Sequence, residues 1–150
     1  MQRSITYQDT VTTFFYVAAY IVYSSIATIY PFLPPLFAVL FVLFLKALEE
    51  QNFLNLLFVS FCLLIFEANN SYILFSSITF FYILYKLVMP KIYTSFSCTN
   101  CIKVSYILLS YIGYFFFISF LGNIFLFPLP DIDYYIIYYI VIEFFIVSIL

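Results

Sequence analysis

Histidine and tryptophan are missing from this chain, glycine occurs twice, cysteine three times, and only 8% of the 150 residues carry charge. Each shortage closes off a class of function. With no histidine and a single Cys-x-x-Cys (Cys98-Thr99-Asn100-Cys101), one copy cannot assemble a four-ligand zinc site. The same lack excludes an HExxH helix and any triad that needs an imidazole base, and two glycines cannot build a phosphate loop. No carboxylate pair is spaced for acid–base chemistry, so an enzyme is not expected and no cofactor is implied. Lysine and arginine together number 5, and Arg3 is the only one before Lys46, so there is no basic arm for nucleic acid.

What remains is apolar. Hydrophobic residues make up 67% of the chain, whereas soluble domains run near ~45–50% apolar and ~25% charged. No aqueous fold would keep such a surface in solution. The abundance of Phe (22) and Tyr (16) is read as codon usage in an AT-rich genome, not as a cofactor box. The sequence predicts an all-α integral membrane protein with about six transmembrane helices, since a crossing takes ~20 residues. The expected spans are residues 11–30, 33–48, 53–66, 72–89, 104–127 and 134–150, in a single domain. The first is too long for the ~7–15-residue apolar core of a signal peptide and reads as an uncleaved span.

Three punctuations set the span ends. Pro31, Pro34 and Pro35 stop the first helix and restart the second, because proline fits a helix's first turn but not its interior. Residues 46–52 hold Lys46, Glu49 and Glu50, which in hydrocarbon would cost roughly 2.5–3.5 kcal/mol each. That turn must reach water, so the short second and third segments are read as crossings. Pro90 is expected to end the fourth span, with residues 91–103 as the longest polar loop. The lysines fix the orientation. Lys86, Lys91 and Lys103 belong to one loop, and counting crossings places Lys46 and Arg3 on the same side, taken as cytoplasmic. Glu67, Asp131 and Asp133 fall on the other side. Both termini are therefore expected in the cytoplasm of a multi-pass inner-membrane protein.

Several residues are candidates for function. Glu143 lies deep in the sixth span, where an ionisable group is a functional hypothesis by default. Asn123 in the fifth span is its expected hydrogen-bonding partner, and Gly122 beside it marks a tight contact or a distortion. The expected roles are a proton or substrate site, an anchor for a partner's helix, or a neutral acid bonded within the bundle. Glu67, Asn69 and Asn70 form an outer turn that could edge a small polar cavity. Cys98 and Cys101 are the redox or metal candidates. A thiol oxidase would need a second pair on the oxidising side, and Cys62 alone lies inside a span. Zinc would require a pair of chains, so self-association is left open.

The hairpin around residues 53–89 carries a family resemblance. Leu63-Leu64-Ile65-Phe66-Glu67-Ala68-Asn69-Asn70-Ser71-Tyr72-Ile73-Leu74 resembles the central hairpin of the bacterial rod shape-determining protein MreD, where an apolar helix ends in an acidic residue followed by small residues. Length, six spans, inward termini and a proline turn before the second span also fit. The chain departs from that family in having Glu67 for the more usual Asp, Tyr72-Ile73-Leu74 for Pro-Leu-Gly, and no basic C-terminal tail. The resemblance implies a non-enzymatic component of the cell-elongation machinery, controlling cell shape and peptidoglycan synthesis. It would pack against an MreC-like membrane helix, with membrane lipid as its solvent. The family's fold also resembles small-molecule-binding membrane subunits of transporters, which is the rival reading. A membrane thiol oxidoreductase using Cys98 and Cys101 is the third.

Overall fold

The structure, a computed structural model, describes residues 2–128, 131 and 133–149, and the side chains from residue 8 onward. Leu129, Pro130 and Ile132 of the expected last turn, Leu150 of the expected last span, and the Arg3 side chain lie outside the described residues. The described residues form six helices and no strand. They are α1 (Gln2–Ile29), α2 (Phe37–Glu49), α3 (Phe53–Asn69), α4 (Ser76–Ile83, continuing through Leu84–Val88 into Met89–Ser95), α5 (Thr99–Leu108, continuing through Leu109–Gly113 into Tyr114–Phe125) and α6 (Tyr135–Ile149).

Each apolar run seen in the sequence became a helix, but the ends moved. Helix α1 starts nine residues before the expected span. Helix α3 runs past Phe66 to Asn69, so Glu67 is helical and not part of the turn. Pro90 does not end α4. Its missing N–H and its ring would break an α-helical turn, and the chain instead widens into a π turn at Leu84–Val88 just before it. Residues 91–103 are accordingly helix on both sides of a short connection at residues 96–98, not a loop. A second π turn, Leu109–Gly113, interrupts α5. A Cβ placed on Gly113 would stand 2.8 Å from Phe80 Cζ. Gly113 thus sits at a close approach, and Gly122, where a tight contact or a distortion was expected, is also buried.

Short connections make successive helices antiparallel. At one end Tyr23 Oη donates to the Pro34 carbonyl at 2.7 Å and Asn69 Nδ2 to Ser24 Oγ at 2.8 Å. At the other, Tyr93 Oη donates to Glu49 Oε1 at 3.0 Å and Lys103 Nζ to the Ser148 carbonyl at 3.4 Å. Lys46, Lys86, Lys91 and Lys103 all lie towards this second end, while Asp131 and Asp133 lie at the first. Thus the charge segregation read from the sequence is a property of the folded bundle.

The core is aromatic and centres on Phe37, the first residue of α2. Its ring lies 4.6 Å from Tyr114, 4.9 Å from Phe81 and 5.0 Å from Phe66, between ring centroids. Outside this core, large apolar side chains face outward. Phe14, Phe15, Phe116, Phe120, Ile137 and Phe145 are each more than 60% exposed. Residues Gln8–Ile29 and Thr99–Phe125 are long and apolar enough to cross a membrane. A buried helix of a soluble core would hide such a stretch; only 11% and 22% of these two are buried.

Candidate functional site

Helix α2 has 13 residues and so a length of ~20 Å, about two thirds of a ~30 Å hydrocarbon core. Its start lies deep in the bundle. Residues 30–36 descend between the other helices before α2 begins, and Phe37 is met there by Glu143, eight residues (~12 Å) along α6 from Tyr135. A helix beginning in an apolar interior leaves its first N–H groups without water, and each must find an acceptor. Leu36 sets the geometry. It adopts a left-handed conformation, φ 56°, and with the helical residues after it makes a concave row of N–H groups.

Glu143 fills that concavity. Its Oε2 accepts from Ala38 N at 2.7 Å and Val39 N at 3.3 Å, and its Oε1 from Phe37 N at 3.2 Å. The Tyr111 hydroxyl on α5 donates to the same Oε1. Every group that meets the carboxyl is a donor, and the residue is fully buried. The sequence-based pairing of Glu143 with Asn123 is therefore corrected: backbone N–H groups about 105 residues away in sequence, together with Tyr111, take up the carboxylate, while Asn123 is exposed. Gly122 is buried, so Gly122, Asn123 and Glu143 do not form one outward contact surface.

The same device recurs at Glu67. Phe75 is left-handed, φ 67°, immediately before α4. Glu67 Oε2 accepts from Phe75 N at 2.7 Å, and Oε1 accepts from Ser77 N and, at 3.1 Å, from Ser76 Oγ. Glu67 and Glu143 are the two fully buried acidic residues among those described, and both close a helix start. Tyr114 Oη lies 3.1 Å from both Ser76 Oγ and Ser77 Oγ. Of the turn residues, Asn69 bonds Ser24, and Asn70 donates to the Phe66 carbonyl at 2.8 Å.

Because α2 starts so deep, the space above it at the Asp131 end is not filled. A cavity of about 290 Å³ lies there, lined by Ser24, Thr28, Pro31, Pro35, Phe37, Phe66, Asn70, Tyr72, Tyr111, Tyr114, Phe115, Tyr135 and Tyr139, among others, with Asp131 and Asp133. Tyr139 Oη donates to the Pro31 carbonyl at its edge. This is not the small polar cavity expected between the third and fourth helices at Glu67: its walls come mostly from α1, residues 31–37, α5 and α6, Glu67 caps a helix, and only Asn70 of that turn lines it. Sequence reasoning missed its aromatic wall, and the signal available was the run of prolines that keeps residues 30–36 from being helix.

Cys98 and Cys101 lie at the start of α5 on the lysine end, both exposed and free, and Cys62 is buried in α3. Cys98 is the residue before the helix, and hydrogen bonding from the Cys101 thiol holds its thiol below the usual range. No cluster of three or more His, Cys, Asp or Glu side chains occurs among the described residues. Comparison with protein-family models, curated proteins and solved structures returned no match.

Proposed function

We propose that the chain is a non-enzymatic, multi-pass protein of the bacterial inner membrane that serves the cell-elongation machinery in the manner of MreD, packing its helices against partner membrane proteins. The observation that carries this reading is the part played by Glu67. An acidic residue at the end of an apolar helix, followed by small residues, is the pattern of the resembled hairpin. Here it has a physical reason, since the carboxylate closes the next helix at Phe75–Ser77. The exposed apolar belt supports lipid as the solvent, and the one-sided lysines support an inward lysine end.

With Glu143 turned inward, the surface left for a partner is lateral. Ile112, Phe116, Phe120 and Asn123 fall at helical spacing along α5, and all four are exposed. One amide on an otherwise apolar stripe offers a partner helix a hydrogen bond in lipid, worth ~1 kcal/mol. The test is co-purification from crosslinked membranes of the native host. The reading expects a single-span protein of the elongation machinery to be captured, with yield falling about fivefold for Asn123→Leu while the bundle stays folded, and rounded cells when the chain is depleted. Normal cell shape on depletion, with no such protein captured, would overturn it.

A further inference from the structure

The cavity above α2 has the chemistry of a binding site whose ligand class can be read from its walls. Among the described residues its ionic lining is Asp131 and Asp133, both exposed at the rim, with no basic residue. Its floor and sides are aromatic: Phe37, Tyr72, Tyr111, Tyr114, Tyr135 and Tyr139. Three of those hydroxyls are already engaged, Tyr111 with Glu143, Tyr114 with the Ser76–Ser77 pair and Tyr139 with the Pro31 carbonyl. These residues therefore present ring to a ligand more than free hydroxyl.

The donors that would hold an anion are also taken. Helix starts are the ordinary anion sites of membrane bundles, and here the two that lie deep in the bundle are filled by the chain's own carboxylates. Lys46, Lys86, Lys91 and Lys103 lie at the opposite end, so the field at the cavity mouth attracts cations. Aromatic rings bind cations through their faces, and quaternary ammonium groups in particular. The volume, about 290 Å³, is at the small end of the ~300–1,000 Å³ usual for ligand pockets.

We propose that this cavity binds a small organic cation, an ammonium group with an apolar or aromatic body, entering past Asp131 and Asp133. The site is independent of the partner-binding stripe on α5. Either a free amine or the headgroup of a choline or ethanolamine lipid supplies this chemistry.

The chain has no tryptophan and 16 tyrosines, so its intrinsic fluorescence reports tyrosine, and five of these tyrosines line the cavity. Purified full-length protein in a neutral maltoside detergent is titrated with benzyltrimethylammonium, benzyl alcohol and benzenesulfonate. Saturable quenching by the cation alone is expected, weakened roughly tenfold in the Asp131→Asn/Asp133→Asn variant. These rim residues are exposed, so the variant keeps its fold. Repeating the titration in discs containing phosphatidylcholine separates the sources: loss of the response identifies a lipid headgroup as the occupant, and an unchanged response a free amine. Equal binding of cation and neutral alcohol, tighter binding of the sulfonate, no saturable binding, or no effect of the Asn pair would each overturn the proposal.

Discussion

Tyr111 and Tyr114 stand one turn apart on α5, and each hydroxyl serves a different buried helix start. Tyr111 donates to Glu143, which closes α2, and Tyr114 pairs with Ser76 and Ser77 beside Glu67, which closes α4. The ring of Phe37 lies against Tyr114 at 4.6 Å. One turn of one helix thus ties together two interior helix starts, at Phe37 and Ser76, that α2 and α3 separate in sequence.

The Glu143 carboxylate accepts from three backbone N–H groups and the Tyr111 hydroxyl. Glutamine keeps the shape but sets an amide N–H₂ among groups that are all donors. Glu143→Gln should destabilise the bundle by about 2 kcal/mol and Glu143→Ala by about 3 kcal/mol. Thermal unfolding in detergent measures both. Neither variant should reduce partner capture beyond what the loss of folded protein accounts for, which separates this residue from Asn123.

Tyr111→Phe removes one donor from Glu143 and leaves the three backbone donors in place. A loss of about 1 kcal/mol is expected. In the Glu143→Gln background the same change should cost much less, because the partner it served is already altered. Full additivity in that double-mutant cycle would sink the claim that Tyr111 acts through Glu143.

Gly113→Ala should overpack the contact between α5 and α4. The added methyl meets Phe80 Cζ at 2.8 Å, and Phe80 is itself buried against Tyr114 and Phe117 with little room to give. A destabilisation of about 1–3 kcal/mol is expected, with Phe80→Leu restoring part of it. If alanine is neutral at 113 and Phe80→Leu gives no rescue, the close approach does not govern this interface.

At the lysine end, Cys98 should be the more reactive thiol. Because hydrogen bonding from the Cys101 thiol lowers its pKa, the Cys98 thiolate persists to lower pH. Alkylation of Cys98 by iodoacetamide should therefore rise at a lower pH than that of Cys101. Cys101→Ala removes the stabilising donor, so the Cys98 profile should move up in pH. An unmoved profile would show that the neighbouring thiol is not the cause.

Much of this architecture was legible in the residues. The six apolar runs and the one-sided lysines follow from hydropathy and charge alone, and the bundle keeps them, although most of the loop expected at residues 91–103 is helix. Glu143 stood out because charge in an apolar interior is costly, and it is buried; Glu67, expected in an outer turn, is buried as well. Their partners were hidden. Glu143 bonds backbone N–H groups of residues 37–39, and backbone donors leave no trace in side-chain identity. Leu36 and Phe75 take left-handed conformations usually signalled by glycine or asparagine, so neither concave helix start could be anticipated. Pro90 did give a signal, but a π turn upstream let the helix pass through it.

The inward lysine end and the outward cavity both depend on which way the bundle faces. The decisive measurement is labelling by a membrane-impermeant maleimide in intact cells, comparing the native chain with an Asp133→Cys variant. The native Cys98 and Cys101 should stay unlabelled until the cells are opened, whereas the cysteine at position 133 should label at once. Labelling of Cys98 and Cys101 from outside, with position 133 protected, would reverse the topology. It would place the thiol pair on the oxidising side and contradict both the elongation-machinery reading and the external cation site.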